Sequence, residues 1–178
     1  MTKLKSDPLL AFGKFIVVLA QAIMAFAAAA VTIGIPIILL MKDKAQADLR
    51  VEMGDPDLLF PALPIAGLLV LLLAALLLAY FFFDRLRRII DTVSKGDPFE
   101  PENAVRLTAM AWFMLGIQVL AIPVAGIGLY LVDIMNEDRA EITSGIDLSG
   151  IVMVVTLFIL ARVFRHGAAM RADLEGTV

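Results

Sequence analysis

LLFPALPIAGLLVLLLAALLLAYFFF, the stretch from Leu58 to Phe83, runs for 26 residues without one charged side chain. A bilayer's hydrocarbon core is about 30 Å thick and takes roughly 20 apolar residues of helix to cross. A helix on a soluble surface would show a polar face; this stretch has none. It therefore predicts a membrane-spanning helix, and the chain around it repeats the pattern. Phe15 to Met41 is an uncharged run of 27 residues, and Leu107 to Val132 is one of 26. Leu148 to Ala161 gives only 14 before Arg162. A guanidinium there can snorkel to the interface on its aliphatic stem, so the fourth span is expected to continue to Phe164. The expected fold is all-α: one four-span domain over residues 1–178, an integral membrane four-helix bundle with spans near 15–41, 58–83, 107–132 and 148–164.

Composition agrees. Of 178 residues, 61% are hydrophobic and 19% charged, against about half and a quarter in soluble domains. Disordered, collagen-like and coiled-coil classes are excluded. The chain has no cysteine and one histidine, which rules out disulfides, a thiolate nucleophile and Cys- or His-rich metal sites. A net charge of −3 gives no case for direct nucleic-acid binding. The first span follows Lys3, Lys5 and Lys14 and contains an alanine-rich stretch from Ala25 to Ala30. A signal peptide's apolar region is about 7 to 15 residues, so this much longer run is expected to remain as a span.

Orientation follows from where Lys and Arg fall. The two terminal segments and the segment Asp84 to Arg106 together hold eleven, and the other two connections hold four. Those two connections carry ten acids. Both termini are thus expected on the cytoplasmic side.

Beyond Phe83 the chain continues as Asp84-Arg85-Leu86-Arg87-Arg88-Ile89-Ile90-Asp91-Thr92-Val93-Ser94-Lys95. Leu86, Ile89, Ile90 and Val93 share one helical face. Asp84 with Arg88, Arg87 with Asp91, and Asp91 with Lys95 are spaced for i, i+4 ion pairs. Span two should therefore project two or three turns into the cytoplasm and stop at Gly96, and span four should likewise continue past Arg162. Glu100-Pro101 suits a helix start with proline at its first position; Asn103 is the alternative cap if the start falls later. The short link makes spans two and three antiparallel neighbours.

Polar groups inside the spans are few. Spans one to three hold no Asp, Glu, Lys, Arg or His between their ends, which disfavours proton-coupled transport. Gln21, Thr32 and Gln118 are expected to hydrogen-bond between helices, with a substrate-site role for Gln21 and Gln118 as the alternative. Pro36, Pro64 and Pro123 could bend their helices. Ala22, Ala25 and Ala29 permit close helix approach, within one chain or in a homo-oligomer. Asp147 is expected to cap span four. Asp43, Asp48, Glu52, Asp55, Asp57, Glu137, Asp138 and Glu141 are expected to be solvated, since no calcium-loop spacing is present. His166, among arginines at a helix end, reads as interfacial. No phosphate loop, catalytic triad or zinc motif occurs, so neither enzyme activity nor a cofactor is expected.

Gly96, Pro98 and Phe99, then Glu102-Asn103 and Arg106-Leu107, resemble a Gly-x-Pro-Phe…Glu-Asn…Arg-Leu signature. Arg162-Val163-Phe164-Arg165-His166-Gly167-Ala168, with a short acidic tail ending Thr177-Val178, resembles the C-terminus of the same family. That family is the small four-span bacterial membrane proteins grouped as domain of unknown function 2975. The tail departs from its commoner form, with Gly176 where an Asp-Leu-like pair is frequent. The resemblance implies no activity. By gene association it implies a cytoplasmic helix-turn-helix regulator as partner, for which the stripe Leu86, Ile89, Ile90 and Val93 is the candidate surface. The competing expectation is a small-molecule or lipid transporter or sensor with a cavity reaching Gln21 or Gln118.

Overall fold

A computed structural model describes residues 8–54, 59–134 and 147–175. Among them are five helices and no strand: α1 Pro8–Leu40, α2 Lys42–Met53, α3 Ala62–Ser94, α4 Pro101–Ile134 and α5 Leu148–Glu175. All except α2 are long and apolar enough to cross a membrane. A helix of 33 residues such as α1 or α3 spans about 50 Å, more than the roughly 30 Å of hydrocarbon, so these helices tilt or project.

The helix ends follow local chemistry. α1 begins seven residues before the expected Phe15 and takes Lys14 into its second turn. The segment after Met41, expected as a loop, is the helix α2. Lys, Ala, Gln, Leu, Arg and Glu are good helix formers; Asp43 in the first turn and Arg50 in the last suit the dipole, and Gly54 ends it at φ 68°. α3 begins four residues after the expected Leu58, at a proline-rich entry. Pro64 falls in its first turn, where no intrahelical N–H is required, so it does not bend a span as Pro36 and Pro123 could within α1 and α4. Asp147 caps α5 as expected: its carboxylate accepts from the Ser149 and Gly150 N–H groups at 3.0 and 3.2 Å.

The four spans pack in a row: α1 on α3, α3 on α4 and α4 on α5, and among the described residues no extensive contact joins α1 to α5. In water such a row would collapse to hide its faces. In a membrane, lipid tails cover them as well as another helix would. Phe12, Phe15, Ile23 and Phe26 on α1, and Ile151, Val155, Ile159 and Val163 on α5, are accordingly exposed on the protein. The inner seams are built largely from small residues, Ala62, Ala66, Ala104, Ala111 and Ala161, which let backbones approach. Ala22, Ala25 and Ala29 instead face outward, while Val17 and Gln21 turn inward.

Candidate functional site: a polar clasp at the helix ends

The largest apolar cluster joins Ile89 of α3 to Leu107, Met110 and Ala111 of α4 and Leu157 and Ala161 of α5; Leu86, Val93 and Phe164 pack against it. The candidate partner stripe lies along this cluster. Ile89 is core, Leu86 and Val93 pack against it, and Leu86, Ile90 and Val93 are half-buried.

Above this cluster the helix ends are locked together. α3 stops as expected at Gly96, φ 86°. The Gly96 N–H donates to Val93 O at 3.0 Å and the Asp97 N–H to Thr92 O at 3.1 Å, the paired bonds of a Schellman stop. The chain turns through Pro98 and Phe99, and α4 starts with Pro101, where a missing N–H costs nothing.

Asn103 is no cap. It is fully buried and ties the turn together. Its amide Nδ2 donates to Thr92 Oγ1 at 2.8 Å and to Pro98 O at 3.0 Å. Its Oδ1 accepts from Arg106 Nη1 at 2.8 Å. Thr92 Oγ1 in turn donates to Ile89 O at 2.8 Å, and Arg106 Nη2 donates to Glu102 Oε2 at 3.2 Å. Buried polar groups must be satisfied, and truncating Asn103 would leave Pro98 O without its donor, at about 1–3 kcal/mol for such a group, while Thr92 would keep only its bond to Ile89 O.

The other helices reach the same place. Lys14 of α1 pairs with Asp91 of α3 at 2.7 Å. Asp91 thus turns to another helix and not to the expected Arg87 and Lys95, whereas Asp84 and Arg88 pair as expected at 2.9 Å. Arg171 of α5 pairs with Asp97. The Phe99 ring lies over Gly167 with its centroid 5.7 Å from that of Phe164. A Cβ at Gly167 would come within 2.7 Å of two Phe99 ring carbons, so this approach requires glycine. Every residue of the family-like motif (Gly96, Pro98, Phe99, Glu102, Asn103, Arg106, Phe164 and Gly167) thus lies in or against one clasp. Thr92, Lys14, Asp97 and Arg171 complete it; their pairings cross between helices and leave no local spacing signal.

The Glu100 carboxyl is held above its usual range, first by its hydrogen bond with Glu102. Burial and the charges of Glu102 and Asp97 push the same way, against Arg106. Arg106 Nη1 stands 3.8 Å from Glu100 Oε2, too far to offset two acids.

Gln21 and Gln118 do not share a site. Gln21 is buried on α1, and Gln118 lies on α4, which α1 does not pack against extensively. The Gln118 amide sits against Gly150 of α5, where a Cβ would fall 1.3 Å from Nε2. Among the described residues no three His, Cys, Asp or Glu side chains converge as metal ligands. Asp43 and Asp48 lie on α2; Lys3, Lys5, Asp55, Asp57, Glu137, Asp138, Glu141 and the tail from Gly176 to Val178 lie outside the described residues.

Residues 40–178 match a family profile described as "Protein of unknown function (DUF2975)". Neither a curated protein nor a solved structure matches the chain.

Proposed function

The chain belongs to the family of proteins of unknown function DUF2975, and on that premise we propose that it is a non-enzymatic, multi-pass protein of the bacterial inner membrane that presents its clasp to a cytoplasmic partner, a helix-turn-helix regulator. The observation that carries this reading is the clasp. α3 and α5 continue past their apolar stretches, and their ends are fixed to each other by Asp97 with Arg171 and by Phe99 on Gly167. Its charged groups pair largely with one another, an arrangement that suits a fixed platform better than a reaction centre. A rigid polar surface binds without first paying to be ordered. The excess of Lys and Arg at this end supports placing it in the cytoplasm. Because Ile89 is core and Leu86 and Val93 pack against that core, the docking face in this reading is the outer side of the clasp.

The test is purification of the tagged, full-length chain from its native host after cross-linking in cells, with mass spectrometry of what is retained. Wild type should carry a DNA-binding regulator in stoichiometric amount. Asn103→Ala, which unlocks the platform, should lose it while still inserting in the membrane. Absence of any stoichiometric cytoplasmic protein from the wild-type preparation would contradict the reading.

A further inference from the structure

A groove of about 900 Å³ runs between the outer part of α5 and the start of α4. Its apolar wall is built by Phe99 and Phe158, Thr108 of α4 contributes to its lining, and Arg162 and Arg165 supply its cations, with the His166 imidazole beside them. These three side chains fall at i, i+3 and i+4, one face of α5. Among the described residues Arg162 and Arg165 have no ion-pair partner, a state they share with Arg85, Arg87 and Lys95; what sets them apart is their place in the groove. Asp97, the acid of the nearby turn, is engaged by Arg171.

The depth of the groove identifies its occupant. Arg162 is the first charge after the apolar stretch of α5, and Thr108 lies at the matching end of the apolar stretch of α4. One turn deeper on each helix stand Phe158 and Trp112, packed edge to face with centroids 5.6 Å apart. Trp112 is exposed, and exposed tryptophan marks the interface between the headgroups and the hydrocarbon of a bilayer. The groove therefore straddles the boundary, with its cations at phosphate level and its aromatic floor at the level of the first methylenes. We propose that it is a binding site for one anionic phospholipid, whose phosphate is held by Arg162, Arg165 and His166 and whose upper acyl chain lies against Phe158. Cationic pockets between membrane helices suit such headgroups, and guanidinium offers phosphate a forked pair of donors. The inference stands apart from the partner reading and holds for whichever leaflet the groove faces.

The test is native mass spectrometry of the full-length chain in mild detergent, titrated with phosphatidylglycerol or phosphatidylcholine. A parallel thermal-unfolding series adds inorganic phosphate. Wild type should retain one phosphatidylglycerol well above phosphatidylcholine, and inorganic phosphate at equal concentration should not raise the unfolding temperature. Arg162→Gln and Arg165→Gln should each weaken phosphatidylglycerol on the order of tenfold, the worth of one charge-assisted hydrogen bond. Arg87→Gln, an exposed cation outside the groove, should leave it unchanged. Equal retention of the two lipids by wild type would overturn the site without recourse to any variant. An equal loss in Arg87→Gln would overturn it in favour of general charge attraction. Stabilisation by inorganic phosphate alone would overturn the lipid in favour of a free anion.

Discussion

One side chain, Asn103, ties the turn of the clasp between α3 and α4. An amide is suited to this position because it donates twice, to Thr92 and Pro98, and accepts once, from Arg106. A carboxylate could accept from Arg106 but could not donate to Pro98 O. The residue was legible in the sequence as part of a motif, yet its role was not. Three residues into a helix it looks like a cap, and only packing against Thr92 of another helix distinguishes the two. The Lys14–Asp91 and Asp97–Arg171 pairs were illegible for the same reason: periodicity relates residues on one helix, not on two. Glu100 gives this scale its prediction. Its pKa is raised in the fold, chiefly by the hydrogen bond with Glu102, so its contribution to stability is full below the ordinary glutamate pKa and is lost as pH rises through the raised value. Glu100→Gln stays neutral and should be more stable than wild type at pH 7. The difference between the two should shrink as pH falls across that window. Thermal unfolding in detergent from pH 7 to pH 4 measures it, and a constant difference would show that Glu100 carries no folding-linked proton.

At the scale of elements, the four spans were readable because a bilayer demands long uncharged runs, and the structure bears out all four as helices long enough to cross. The ends were less readable. α1 starts early because one lysine ends an uncharged run without ending a helix. α2 was missed because a search for apolar runs is blind to a charged helix of good formers. The stop at Gly96, the start at Pro101 and the cap at Asp147 were legible, since each is a local rule about backbone groups. The stripe on α3 shows where a one-helix reading fails: an apolar face predicts burial, and here the face packs along the chain's own core. The α5–turn contact gives the prediction at this scale. Gly167→Ala should destabilise by about 1–3 kcal/mol, the usual cost of forcing an added methyl into packed atoms. Phe99→Leu should restore part of that loss in the double variant, because the clash is with the ring itself. Additive losses in a double-mutant cycle would place the strain elsewhere.

For the molecule as a whole, the sequence led to a four-helix bundle, and among the described residues the spans pack as a row, α1 on α3, α3 on α4 and α4 on α5. The difference lies in what covers an apolar face. Span count and hydropathy cannot say whether lipid or protein does so, since both are equally apolar. With little drive to close the row along its length, the helix ends become the place where the arrangement is fixed, and the clasp joins α1, α3, α4 and α5 there. That is the claim on which both the platform and its proposed partner rest. The chain has no cysteine, so two introduced ones report alone. Spin labels at Lys95→Cys on the α3 side and Ala169→Cys on α5, with the distance distribution measured in lipid nanodiscs, test it most directly. A clasp that fixes the helix ends gives one narrow distribution, which broadens or splits when Asn103→Ala is added. A distribution that is already broad without that substitution, or equally narrow with it, would contradict the account.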